Sequence, residues 1–282
     1  MNCPICDAPT RRKFKKYGYW IKVCQTCFHQ FAELTPSLAH AQQVYGDEYF
    51  EGGGAGYPNY LGEAKILRSH SSRYSKILAR YMQPGTMLDV GAAAGFILQG
   101  FTDCGWKGLG IEPNPRMAEY GRMHLGLPIE TGTLEQFKTS DRYDLIAMIQ
   151  VIPHFFDLKS ALHAAEKVTK PNGYWLIETW NRESLMARIF GKNWHEYSPP
   201  SVLHWFSPSG LQNLTAQFGF REIARGRPSK WIQASHAKSL LGYKLKGSTL
   251  GKLAMKVVNL IPDDLSIPYP SEDLFWALYQ KQ

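Results

Sequence analysis

The stretch Met87–Gly100, MLDVGAAAGFILQG, decides the fold of this chain. Met87 to Val90 read as the end of a buried strand, and Phe96 to Asp103 as a helix. Between them, Gly91 to Gly95 place two glycines and three alanines in five positions. Small residues let a backbone approach a ligand closely, and the following helix offers unpaired N–H groups at its start. The register does not fit the dinucleotide fingerprint G-x-G-x-x-G, and no P-loop lysine follows. What stands is D-x-G-x-A-x-G, with Asp89 two residues before Gly91. A carboxylate there repels a pyrophosphate and attracts an ammonium group. Glu112 ends the next strand in GIEP, 17 residues past Gly95, where it can accept both hydroxyls of a ribose.

Outward from this loop, strands and helices alternate. KGLGIEP reads as a second strand, Asn114–His124 as a helix and PIETG as a short third strand. YDLIAMIQVI is apolar on both faces and therefore central. A helix over Asp157–Thr169, a PNG turn and the strand YWLIETW follow. This alternation predicts an α/β fold, a parallel sheet with helices on both faces. Upstream, YLGEAKILRSHSSRYSKILARYM has helical spacing and stops at Gln83-Pro84-Gly85. Downstream, a helix is predicted over Pro208–Phe218 and strands over 220–232 and 273–281. The excursion between those strands holds apolar residues at helical spacing over Leu250–Ile261, read as a lid or packing helix rather than a membrane anchor.

LDVGAAAG resembles the first motif of the class I S-adenosylmethionine (SAM)-dependent methyltransferases, with Ala93 in place of the middle glycine; an alanine is tolerated there if its φ stays negative. GIEP resembles their second motif, GTLEQF (Gly132–Phe137) falls where they contact adenine, and YDLIAMIQVIPHF resembles their fourth-strand motif, with Pro153 where a glutamate is usual and His154 retained. VTKPNGYWLIET resembles the approach to their fifth strand. The resemblance covers residues 85 to 180. It implies a Rossmann-like sheet of seven strands with the last antiparallel, SAM as cofactor, and cofactor contacts from Asp89, Gly91, Ala93, Gly95, Glu112, Pro113, Thr133, Leu134 and Gln150. Tyr57 and Tyr60, in the Gly-rich aromatic stretch YGDEYFEGGGAGYPNY, are expected to close over that cofactor. The flanking segments are similar to bacterial methyltransferases from saccharide and secondary-metabolite clusters.

Four of the five cysteines form two C-x-x-C pairs, Cys3 with Cys6 and Cys24 with Cys27, separated by 17 residues. That spacing matches a structural zinc ribbon, in which four thiolates close the coordination shell. The competing reading, disulfides or redox dithiols, sits poorly with an N-terminus that shows no secretion signal. His29 is read as a surface residue and Cys104 as core packing. The expected organisation is a ribbon over 1–32, a lid loop and helix over 33–84, and a SAM-binding domain over 85–282 with substrate-side insertions near 181–207 and 233–272.

The longest apolar run among the strands, LIAMI, has about five residues against the roughly 20 that span a bilayer, so a cytoplasmic protein is expected. The net charge of +8 sits at two places: residues 1–30 carry six basic residues against one acidic, and 221–261 nine against one. Such an excess suits an anionic partner or a peripheral membrane contact, or is a solvated basic surface. Methyl transfer to a hydroxyl needs a base, and the walls expected around the acceptor select His154, His195 and His204, with Glu196 and Tyr197 beside them. The expected acceptor is a small molecule or a saccharide-linked biosynthetic intermediate. Two alternatives stay open: a zinc-ribbon RNA methyltransferase, to which the basic ends would contribute phosphate contacts, and a SAM-fold subunit that binds without catalysis.

Overall fold

The computed structural model describes residues 1–51, 59–229, 231–235, 237–238, 258, 260–263, 265–268 and 271–282. Tyr57 and nearly all of the helix expected over 250–261 lie outside the described residues.

The chain opens with an antiparallel hairpin, β1 (Thr10–Lys16) and β2 (Tyr19–Cys24), turned by Tyr17 and Gly18 at positive φ. β3 (Gln30–Ala32) adds to its edge, and two helices, α1 (Leu38–Val44) and α2 (Asp47–Glu51), lead to α3 (Ala64–Leu78). Then the alternation begins: β4 (Thr86–Val90), α4 (Phe96–Thr102), β5 (Lys107–Glu112), α5 (Pro115–Leu125), β6 (Ile129–Thr131), β7 (Tyr143–Ile149), α6 (Leu158–Val168) and β8 (Thr169–Trp180). After it come α7 (Leu185–Phe190), β9 (His204–Trp205), α8 (Pro208–Ala216), β10 (Phe220–Gly226), β11 (Trp231–Gln233), β12 (Ser266–Pro268) and β13 (Leu274–Lys281).

Local chemistry fixes the helix ends. Asn114, Asp157 and Ser207 each cap a helix by accepting from the N–H three residues on, and Pro115 and Pro208 occupy first turns where no N–H is missed. α5 stops at Gly126, which takes the left-handed φ of 64° that glycine permits. Two expectations shift. The predicted 171–173 turn is inside β8, which absorbs it with Asn172 at φ 59° and a register shift against β7. The strand predicted over 220–232 is two strands, β10 in the main sheet and β11 paired with β12.

The main sheet has seven strands in the order β10-β13-β8-β7-β4-β5-β6, all parallel except β13, which runs antiparallel to both neighbours. β4, β7 and β8 lie in the middle, as their continuous apolar sequences require. The order reverses at β4, so the crevice beyond the carboxyl ends of β4 and β7 is the ligand-binding place of such a sheet.

The cysteine-bearing segment is not a separate appendage. β9, from the insertion after β8, pairs antiparallel with β3 and completes a four-stranded sheet β1-β2-β3-β9. Cys3, Ile5 and Cys24 belong to the apolar cluster under one face of the main sheet, with Ile152, Phe155 and Trp175. His29, read as a surface residue, is buried, with its Nε2 3.2 Å from His204 Nδ1.

Candidate active site

The β4–α4 turn forms a cradle. Gly91 and Gly95 have φ of 70° and 88°, and Ala93 between them has φ 48°. The expectation of a negative φ at Ala93 is thus overturned. The cause is Glu112, whose Oε2 accepts from the Ala93 N–H at 2.7 Å while Oε1 accepts from Asn114 N–H at 2.7 Å. A Cβ added at Gly91 would meet Val151 Cγ2 at 2.8 Å, so only glycine fits this bend. Glu112 is buried at the end of β5, and burial pushes its carboxyl up to about 7. Asp89 lies beneath the loop, held by the Leu98 N–H, with Oδ2 buried and unpartnered. Burial and then Glu112 push it up to about 8.

Gly91, Ala93, Glu112, Pro113, Thr133, Leu134, Gln150 and Tyr60 line a single cavity of about 1090 Å³; Gly95 and Asp89 sit behind it. Gln150, at φ 57°, donates from Nε2 to Glu178 Oε1 at 2.6 Å. Glu178 is fully buried near the end of β8 and also binds His70 Nε2 at 2.8 Å and the Tyr74 hydroxyl. Sequence reasoning passed over Glu178, although a lone acid in the apolar strand WLIETW is a signal that a polar network surrounds it.

The other end of the cavity is built by the end of α1, the ends of β7 and β8, the insertion after β8 and the tip of the ribbon hairpin, through Tyr45, His154, Trp180, Trp194, His195, Glu196, Lys16 and Tyr17. His154 Nδ1 lies 2.8 Å from the Ser201 carbonyl and 2.9 Å from the Tyr45 hydroxyl, which itself donates to Ser201 O at 2.6 Å. This triangle ties the insertion to α1. Burial holds the His154 imidazole below its usual value and the Tyr45 phenol well above its own, so both are neutral near pH 7. His195 packs edge-on against Trp180, with Nε2 3.4 Å from Glu196 Oε1 and Nδ1 3.8 Å from Asp273 Oδ2. Asp273, just before β13, is buried and accepts from Trp194 Nε1 at 2.9 Å. The structure separates His204 from these two histidines. It is buried between His29 and the Phe155 carbonyl, away from the cavity lining, and burial lowers it to about 4.

A family model described as a methyltransferase domain matches residues 65–224, more than half of the chain. The chain belongs to this methyltransferase family. Its curated relatives include the ubiquinone biosynthesis O-methyltransferase of Rhodopseudomonas palustris strain HaA2, 32% identical over 144 residues, which are 47% of this chain and 57% of the relative. The enzyme of the same name from Bradyrhizobium sp. strain ORS 278 is 28% identical over 126 residues, 42% and 47% of the two chains. The chain spans about half the length of the curated relatives it matches. Solved structures with this fold include a SAM-dependent methyltransferase from Thermotoga maritima (20% identity, TM-score 0.51, covering 79% of this chain and 92% of that one). Another is a methyltransferase from Bacillus halodurans (14% identity, TM-score 0.54, 74% and 98%). At these identities the likeness is one of fold.

SAM is the cofactor of this methyltransferase family, and the residues present fit it. The cradle is closed to larger side chains, the unpaired Asp89 oxygen leaves a polar atom beneath it, and each Glu112 oxygen keeps a lone pair for a hydroxyl.

The four N-terminal sulfurs converge within 4.8 Å of one another. The two C-x-x-C turns are built alike. Cys3 N–H donates to Ala8 O at 3.0 Å and Cys24 N–H to His29 O at 2.9 Å, and the residues after the second cysteines, Asp7 and Phe28, take φ of 56° and 58°. Burial pushes the Cys24 thiol up, but N–H groups of Cys27 and Thr26 outweigh it and bring it down to about 7. A tetrahedral ion with bonds of ~2.3 Å would hold its sulfurs ~3.8 Å apart; three of the S···S distances here are 3.5 Å.

Proposed function

We propose that this protein methylates a hydroxyl group of a compact, neutral small molecule, with saccharide and saccharide-linked biosynthetic intermediates as the substrate class. The observation that supports this reading is the single cavity joining the Glu112 cradle to a wall of aromatic rings and carboxylates. At about 1090 Å³ it exceeds the roughly 300–1,000 Å³ of a pocket for one drug-sized ligand, leaving room for a nucleoside cofactor and an acceptor. Trp180 contributes an aromatic ring to the lining, while Glu48 and Glu196 accept from hydroxyls and repel anions. That the curated relatives are named O-methyltransferases supports oxygen as the atom methylated.

SAM, when bound, supplies a methyl group already activated on a sulfonium. The chain's own task is then to orient the acceptor, exclude water and remove one proton. His195 is assigned that proton: its ring lines the acceptor end, and Asp273 and Glu196 on its two sides favour the imidazolium that forms. His154 is assigned a positioning role, because its Nδ1 is engaged by Ser201 and Tyr45. His195→Gln should lower kcat by about 10²–10⁴-fold with the SAM Kd unchanged; full activity in this variant removes the base assignment. The cysteine cluster is assigned one structural zinc ion, which metal analysis of the purified chain tests.

The five basic residues Arg11, Arg12, Lys13, Lys15 and Lys16 of β1 favour RNA as a second reading. Methyl-labelled SAM incubated with the protein and a fractionated cell extract separates the two. Label in the small-molecule or glycolipid fraction supports the first; label lost on ribonuclease treatment establishes the second.

A further inference from the structure

The short helix α7, which follows β8, buries one side and leaves the other open. Its inner face is Ala187, packed with Ile21, Trp194 and Tyr197. Four of its six residues, Leu185, Met186, Ile189 and Phe190, are large, apolar and exposed, Leu185 to 61% and Ile189 to 66%. Leu185 and Ile189 stand one turn apart, on the side away from Ala187. The hairpin tip lies beside this helix. Phe14 packs against the Ala187 cluster, Tyr17 is 57% exposed, and Lys16 and Lys192 are near enough to repel each other. Cations border the apolar surface: Arg188 and Lys192 are exposed, Lys16 stands at the tip, and none of the three is in an ion pair among the described residues. The nearby acids have partners. Glu183 pairs with Arg182 at 3.1 Å, and Glu272 lies 3.9 Å from Arg227 while accepting from the Leu185 and Met186 N–H groups at 3.0 and 3.1 Å. This surface reaches the cavity, whose lining includes Lys16, Tyr17, Asn193 and the half-exposed Trp231.

We propose that α7 and the hairpin tip dock this protein on an anionic phospholipid surface, with the acceptor end of the cavity turned to the bilayer. Aliphatic side chains along a short helix, with cations beside them, match both layers of a membrane interface. Acyl chains take up the apolar groups, and headgroup phosphates answer the cations. Tyr17 and Trp231 carry the amphipathic rings that settle at headgroup depth. A monomer in water seldom leaves so contiguous an apolar patch to solvent. A second copy of the chain fits less well, since a two-fold contact centred on α7 would set Arg188, Lys192 and Lys16 against their own counterparts. An acceptor held at the bilayer surface then enters the cavity directly; that consequence rests on the functional reading above, whereas the docking does not.

The test is flotation of the full chain with phosphatidylcholine vesicles, with and without phosphatidylglycerol. It needs no turnover, so its outcome is separate from the choice of acceptor. Binding is expected to the anionic vesicles, weakened by salt, and not to phosphatidylcholine alone. Leu185→Ser combined with Ile189→Ser, and separately Arg188→Glu combined with Lys192→Glu, should each weaken vesicle binding by about tenfold or more. None of these four side chains lines the cavity, so an unchanged SAM Kd shows that both double variants are folded. The proposal is overturned if the chain does not float with anionic vesicles, or if phosphatidylcholine alone binds it equally. It is overturned too if either double variant binds as before, which would assign the binding to another part of the chain. A concentration-dependent dimer that Leu185→Ser with Ile189→Ser dissolves, in a protein that ignores vesicles, would also overturn it and identify a second copy as the occupant.

Discussion

Ala93 occupies a left-handed conformation that costs an L-residue about 1–2 kcal/mol, and the Glu112 carboxylate is what holds it there. Ala93→Gly should therefore stabilise the protein by about 0.5–1 kcal/mol after the extra chain entropy of glycine is subtracted, read as a higher denaturant midpoint. Glu112→Ala releases the loop and removes the hydroxyl acceptor, so the SAM Kd should rise by more than about tenfold, or ~1.4 kcal/mol; Asp89→Asn, one layer below, should raise it less. The pH dependence follows from the raised carboxyls, about 8 for Asp89 and about 7 for Glu112. Unfolded, both lose their protons near pH ~4, so above that the folded state binds more protons and stability falls as pH rises. Buried neutral histidines act in the opposite sense below about pH 6.5, which leaves roughly 7 to 8.5 as the window for the carboxylates. Over it the cofactor-free Tm should decline, and Asp89→Asn should flatten the decline. The composition of the loop was legible because small residues between a strand and a helix have few uses. The φ of Ala93 was not, since it depends on a carboxylate 19 residues away.

At the scale of elements, the order of strands and helices followed from sequence wherever an apolar period ran long enough to read. β9 has two residues and α1 seven, too few to show a period, and both take their meaning from distant partners. The same holds for His204, whose neighbours suggested an acceptor wall until β9 carried it against β3, beside His29. The cysteine pairs were legible as a cluster from spacing alone, but their seat in the main apolar core was not. That seat changes what metal removal should do. Chelation is expected to lower the Tm of the whole chain in one transition, because Cys3 and Cys24 pack with Ile152 and Phe155 and cannot loosen without exposing them. Two separate transitions in calorimetry, the second unchanged, would show the ribbon to be energetically independent.

For the whole molecule, the acceptor end of the cavity is where separate parts of the chain meet: the hairpin tip at Lys16 and Tyr17, α1 at Tyr45, and the insertion at His195 and Ser201. Tyr45→Phe removes the hydroxyl that joins two of them. It should raise KM for the acceptor several-fold with little change in SAM Kd, measurable once an acceptor is in hand. No helix among the described residues is long and apolar enough to cross a membrane. The two ends of the charge distribution now differ in status. The N-terminal excess lies on the two strands of the hairpin, whereas the 221–261 excess falls largely outside the described residues.

The two-residue strand β9 also sets a schedule for synthesis. β3 is made early, but the partner that covers its edge, His204–Trp205, follows 172 residues after Ala32. At about 5–20 residues per second, a nascent chain carries that edge uncovered for roughly 9–34 s. Throughout that interval a short, apolar strand edge is open to pairing with another chain, and slower translation lengthens the exposure.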